Sequence, residues 1–468
     1  MSARTSAKIY PSMIPSAGRV VQLKSGSHDG YSRAADSSFS KQRSGVLATT
    51  FYMLTVPEKT SLIHFPSRIQ NITRGPTMIQ TQSFAINQPT SIRFGIDAVN
   101  DLGTLVKQLG GSKVLLVVDP GLKQAGLTKN ITTPLRKAAI PYEIYNKIDP
   151  EPGLRLADQG TKLSKKFKAD CVVGVGGGSA LDVAKAISIL LTNGGKAVDY
   201  IGLGKIPKPG VPKIMIPTTA GTGAEVTFTA VFINEETKSK AGMNGAPLYP
   251  DAAILDPALT VSLPPHVTAA TGIDAFTHAI EAYVSTQSHF ISDMYALEAI
   301  DLISSNLGAA YANGGNLAAR SAMLMGSLLG GKALAMAGVG LVHAMAYPLG
   351  GMFNTPHGLA NAILLPYVVE YNLIGNPGKY AVVADIMGYD TEGLSDREAA
   401  EVTVDAIHQL NSDVGIPASL NALDIPTSNI PEMARIALTV TRPVENNPRQ
   451  PSLDDVMAIY EAAFDGFD

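Results

Sequence analysis

Cys171-Val172-Val173-Gly174-Val175-Gly176-Gly177-Gly178-Ser179-Ala180-Leu181-Asp182-Val183-Ala184-Lys185 decides the fold. A short apolar run passes through glycines into a sequence of helix-forming residues, so it reads as a buried parallel strand, a tight turn and a helix N-terminus. Glycines let a phosphate approach the backbone, and the first turn of the helix offers free N–H groups and a favourable dipole. Ser179 stands where a G-x-G-x-x-G motif would place its third glycine, so an ordinary strand-to-helix turn explains the segment nearly as well. Cys171, the chain's only cysteine, excludes an internal disulfide and reads as a strand residue rather than a nucleophile.

The same rhythm extends in both directions. Lys113–Asp119 is an apolar run ending in an acid, Pro141–Tyr145 repeats the theme, and Lys213–Pro217 feeds a second small-residue turn, Thr218-Thr219-Ala220-Gly221-Thr222-Gly223. Strands alternating with helices at this spacing indicate a parallel α/β sheet from about residue 84 to 262. Asp119, at a strand end, suits hydrogen bonds to a ribose, or a cap on the following turn. After Pro264-Pro265 the character changes to successive Ala-, Leu- and Met-rich helices. The expected organisation is an extension over 1–77, an α/β dinucleotide-binding domain over 78–262 and an all-helical domain over 263–468.

The first 77 residues hold ten Lys/Arg against three Asp/Glu, leaving 27 against 37 in the other 391. This Arg- and Ser-rich segment reads as a mitochondrial transit peptide or as an upstream extension from a misplaced start codon, and the second reading is preferred, with disorder expected. Cytoplasmic location follows from that preference, and mitochondrial location from the other. The net charge of −3 gives no argument for nucleic acid. No run of 18 uninterrupted apolar residues occurs, so no membrane span is expected.

The helical half carries the chemistry. Asp274 and His278 lie four apart on one helix face; His343 and His357 follow, in a chain with eight histidines. A carboxylate with three imidazoles is a ligand set for Fe²⁺ or Zn²⁺, although an Asp–His pair alone also reads as a buried salt bridge. Phe276, Met345 and Phe353 suggest either a small aliphatic pocket or helix packing. His266, His289 and His408 fit no motif and are expected to be exposed or capping.

Gly176–Ser179 with Asp182 and Lys185, Pro217–Thr222, Gly272–His278, His343 and Pro356-His357-Gly358-Leu359-Ala360-Asn361-Ala362 together resemble the iron-containing (group III) alcohol dehydrogenase family over residues 84–468. The resemblance implies a dehydroquinate-synthase-like architecture, with a metal held between an NAD-binding domain and a helical domain. It implies Asp274, His278, His343 and His357 as ligands, Gly176, Gly177, Gly178 and Ser179 at the pyrophosphate, Asp182 as a further cofactor-binding residue, and Thr218, Thr219 and Thr222 at the nicotinamide half. It implies Asp119 as the acid favouring NAD over NADP and, more loosely, Lys240 as a nucleotide contact. Tyr347 stands where many members carry a second histidine, and is the candidate proton relay. The implied activity is NAD-linked oxidation of small aliphatic alcohols, or aldehyde reduction, by a homodimer or larger homo-oligomer. Three alternatives remain: a hydroxyacid dehydrogenase or hydroxyacid–oxoacid transhydrogenase, a dehydroquinate-synthase-like lyase, and a metal-stabilised nucleotide-binding protein without turnover.

Overall fold

The computed structural model describes residues 83–236 and 239–466; the expectations for residues 1–77 lie outside them. Strands β1 (Ser91–Phe94), β2 (Val114–Val118), β3 (Tyr142–Tyr145), β4 (Cys171–Gly176), β5 (Gly202–Leu203), β6 (Lys213–Pro217), β7 (Thr229–Asn234), β8 (Ser239–Asn244) and β9 (Ala252–Leu255) are interleaved with helices α1 (Leu102–Gln108), α2 (Pro120–Gln124), α3 (Thr128–Lys137), α4 (Leu154–Phe167) and α5 (Gly178–Asn193). Six strands form one parallel sheet in the order β1-β9-β6-β4-β2-β3. Strands β2, β4, β6 and β9 are buried at every position, as continuous apolar runs require when helices cover both sheet faces. The pleat divides β2 between two cores: Leu115 and Val117 join Ala184 and Ile187 of α5, while Val114, Leu116 and Val118 join Ile131 and Leu135 of α3.

A small second sheet, β5-β8-β7, pairs β8 antiparallel with β7. The sequence reading missed it. Ser239-Lys240-Ala241-Gly242-Met243-Asn244 has none of the β-branched or aromatic residues that mark strands, so its pairing comes from tertiary context.

Beyond Leu255 the chain is helical: α6 (Pro265–Val284), α7 (Phe290–Ala312), α8 (Leu317–Ala337), α9 (Leu341–Phe353), α10 (His357–Asn372), α11 (Pro377–Ile386), α12 (Asp396–Asp413), α13 (Ile430–Leu438), α14 (Thr441–Asn446) and α15 (Leu453–Asp465). Pro265 sits at the first position of α6, where its missing N–H costs nothing. From Gly272 to Val284 every residue of α6 is buried, so this helix is the axis of the helical core. No single helix among the described residues is long and apolar enough to cross a membrane.

Two glycines bring the layers together. A Cβ on Gly223, in the loop after β6, would lie 2.5 Å from Cα of Gly331 in α8, and Gly223 itself has φ +59°. Backbone meets backbone there, which only glycine permits. Phe276 and Met345 are fully buried in the helical core, and Phe353 is packed against it. Of their two readings, helix packing is the observed one. Cys171 is likewise buried in β4, where burial pushes its thiol up to about 12. His289 caps α7 through Ser292 and His266 is exposed. His408 is neither exposed nor a cap: it is half-buried, edge-on to Tyr367.

Candidate metal and nucleotide site

A cleft of about 1340 Å³ runs between the α/β layer and the helices, lined by Gly178, Thr222, Asp274, His278, His343 and His357 among others. Asp274 and His278 leave one face of α6, His343 lies in the first turn of α9, and His357 opens α10. The Nε2 atoms of His278, His343 and His357 each lie 4.0 Å from Asp274 Oδ1. The ligand atoms of Asp274, His343 and His357 all fall within 4.8 Å of one another; His278 joins through Asp274 and by stacking on His343, ring centroids 4.7 Å apart.

Burial, above all, lowers the pKa of His278 and pushes His357 well below its ordinary value, and the nearby Lys240 acts on His357 in the same direction. Both rings therefore present neutral imidazole at neutral pH. Burial raises Asp274, but His278, His357 and His343 outweigh it, and the carboxyl lies below its usual range. Three imidazole nitrogens and a carboxylate oxygen converging in a buried space, with no Lys or Arg ion-paired to them among the described residues, fit a borderline divalent cation. Asn361, on α10, donates its amide to Asp274 Oδ1 at 2.7 Å and lies 3.2 and 3.3 Å from the Nε2 atoms of His343 and His357. Glu281, one turn after His278, has Oε2 2.5 Å from His343 Nδ1. Neither Glu281 nor Asn361 was singled out from sequence. Helical spacing carried the signal, since Glu281 is i+7 from Asp274 and Asn361 is i+4 from His357.

The nucleotide half is assembled from two turns. Gly177 caps α5 without a side-chain bond, leaving the first N–H groups of that helix facing the cleft. A Cβ on Gly178 would meet Thr222 at 2.7 Å, so the two small-residue loops pack edge to edge. Thr222 lines the cleft, whereas Thr219 faces Gly177 and Thr218 is buried at the end of β6. Ser179 Oγ donates to the Pro150 carbonyl.

Asp182 joins two elements. It reaches the cleft wall, but Oδ2 accepts the Val231 N–H at 2.9 Å and Oδ1 pairs with buried Lys185 at 3.4 Å. The Val231 bond ties α5 to β7, and a carboxylate has no donor to offer a pyrophosphate. Burial pushes Asp182 up and Lys185 down.

Of the two readings of Asp119, the structure shows the cap. Its Oδ1 accepts the Gly121 N–H at 2.7 Å and caps α2, while its own N–H bonds Val175 O at 3.0 Å beside the glycine turn. Lys240 lines the cleft with its ammonium 3.2 Å from Glu151 Oε2 and 5.7 Å from the Tyr347 ring centroid. Its charge is already answered by Glu151. Tyr347 also lines the cleft, its ring 6.2 Å from that of His357. Burial, with Glu281 and Glu151, pushes the phenol up to about 12. The phenol therefore stays protonated near neutrality and is a donor rather than an acceptor of protons there.

A parallel α/β layer and a helical layer enclosing a His/Asp metal site beside a glycine-rich helix N-terminus define a metal-dependent, nucleotide-linked oxidoreductase. Two family models account for most of the chain: "iron-containing alcohol dehydrogenase" over residues 89–257, and the C-terminal region of the same family over 268–464. Long-chain-alcohol dehydrogenase 1 of Geobacillus thermodenitrificans is 42% identical over 381 residues, 81% of this chain and 96% of that one. A crystal structure of 1,3-propanediol oxidoreductase superposes with TM-score 0.80 at 40% identity, covering 82% of this chain and all of the other. Sulfoacetaldehyde reductase from Bifidobacterium kashiwanohense in complex with NAD⁺ superposes with TM-score 0.74 at 29% identity, covering 81% and 98%. The chain belongs to the iron-containing alcohol dehydrogenase family. It has that family's dehydroquinate-synthase-like fold and is an oxidoreductase acting on alcohols and aldehydes, which closes the lyase and non-catalytic readings.

Proposed function

We propose that the protein interconverts small aliphatic alcohols and aldehydes with NAD(H), using a divalent metal held by Asp274, His278, His343 and His357. The single observation that carries this is the convergence of three imidazole nitrogens, each 4.0 Å from one Asp274 oxygen, in the wall of the cleft that the glycine turn also lines. Iron is the preferred metal, and zinc suits the same donors. When bound, the metal supplies Lewis-acid polarisation of the alcohol or carbonyl oxygen, and NAD(H) supplies the hydride chemistry.

The chain's residues do the rest. The first N–H groups of α5 and the backbone at Gly177 and Gly178 bind the pyrophosphate. Thr222 fixes the edge of the nicotinamide end, and Asp119 disfavours a 2′-phosphate by like charge. Tyr347 holds a proton on its phenol oxygen beside the reacting end, and Glu151 fixes Lys240 over the Tyr347 ring. Burial of Asp274, His278 and His343 keeps bulk water from the ligands.

We also propose a homo-oligomer. Edge strand β1 carries Phe94, and Ile96 just after it is also exposed, an apolar sheet edge that a second copy would cover.

The test is NADH formation from primary alcohols of increasing length, in protein stripped of metal and then reloaded with Fe²⁺ or Zn²⁺. Turnover should appear only on reloading, with NAD preferred to NADP. Equal turnover in the stripped protein would overturn the reading.

A further inference from the structure

We infer that Glu281 is a positioning residue for the metal centre: it dictates which nitrogen of His343 is free to act as ligand, and couples that choice to the start of α9. The inference rests on the metal reading given above.

Glu281 is buried, its side chain 5% exposed, and no Lys or Arg pairs with it among the described residues. An unpaired buried carboxylate is costly unless donors of another kind satisfy it. Here each oxygen has one. Oε2 lies 2.5 Å from His343 Nδ1, and Oε1 accepts the Val342 N–H at 2.7 Å. The second bond answers a need of α9, whose N-cap is Gly340 and makes no side-chain cap. Its first N–H groups are met instead from other elements, Leu341 by Asn447 Oδ1 at 3.3 Å and Val342 by Glu281. Carboxylate and helix dipole are also favourably opposed.

The first bond has a chemical consequence. An acceptor-only group at Nδ1 draws the ring proton to that nitrogen, which leaves the Nε2 lone pair facing Asp274. Glu281, Asp274 and His278 lie on one helix, so α6 supplies two ligands together with the group that orients a third. A carboxylate behind a metal-binding imidazole fixes its tautomer and raises its basicity.

Glu281→Gln separates this role from simple capping. The substituted amide has one acceptor oxygen for two donors. With the oxygen toward Val342, the amide N–H₂ faces His343 Nδ1 and drives the ring proton to Nε2, the ligand atom. With the oxygen toward His343, the cap is lost instead. Asn447→Ala is the control that removes a neighbouring cap and leaves His343 untouched.

The measurement is the rate at which zinc-loaded protein surrenders metal to a chelator, beside elemental analysis and the melting temperature of each protein. Glu281→Gln is expected to release metal about 10–100-fold faster than wild type, whereas Asn447→Ala melts lower with an unchanged release rate. An unchanged release rate in Glu281→Gln overturns the inference, whatever its melting temperature. A ¹⁵N spectrum of zinc-loaded, histidine-labelled wild type provides a test that needs no variant to fold. The His343 proton should reside on Nδ1, and a proton on Nε2 overturns the inference. Wild type that holds no metal would instead sink the metal reading itself.

Discussion

At the scale of single residues, the cleft sorts its groups by what surrounds them. Tyr347 is the clearest case, because burial keeps its phenol protonated near neutrality. Tyr347→Phe should lower kcat by up to about tenfold, the order of one hydrogen bond, with metal content and the shape of the pH–rate profile between pH 6 and 10 unchanged. An alkaline limb that disappears in the variant would mean the phenol titrates after all. Glu225 is the other informative residue. It is fully buried beneath the Gly221–Gly223 turn with Oε1 unpartnered, and burial pushes it up to about 7. The folded state therefore binds this proton more tightly than the unfolded chain does. The stabilisation is complete below the unfolded value of 4.5 and is lost as pH rises through about 7. Glu225→Gln should remove a contribution on the order of 3 kcal/mol to that slope and melt above wild type at pH 8. Parallel melting-temperature curves from pH 4 to 8 would contradict this.

At the scale of elements, the glycine contacts decide how loops meet helices. A Cβ on Gly331 would sit 2.7 Å from Gly223 Cα and 3.1 Å from its carbonyl oxygen. Two effects oppose each other in Gly331→Ala: helix propensity gains roughly 0.5–1 kcal/mol, while overpacking against backbone costs about 1–3 kcal/mol. Overpacking should win, with a lower melting temperature and weaker NAD binding, since Gly223 follows Thr222. A higher melting temperature would show that the interface yields. Elements were legible in the sequence where one local pattern sufficed. The apolar runs of β2, β4 and β6 and the change at Pro264-Pro265 marked strands and helices close to where they lie. Strand β8 was not legible, because its pairing with β7 depends on neighbours rather than on its own residues.

At the scale of the whole molecule, the site is a product of assembly. Three helices deliver the four candidate ligands and the sheet delivers the glycine turn, so neither layer alone assembles the site. The converging donors were legible because Asp274, His278, His343 and His357 are rare, chemically distinctive residues in recognisable surroundings. Whether an oxygen is free was not legible. Asp182 sits inside a motif-like segment, yet its oxygens bind the Val231 N–H and Lys185, and only packing reveals that. The most direct test of the central claim is the metal content of purified His343→Ala beside wild type, with folding followed by circular dichroism. The account requires near-stoichiometric iron or zinc in wild type, and collapse of occupancy in the variant with helix and sheet content unchanged. Full metal content in folded His343→Ala would contradict it.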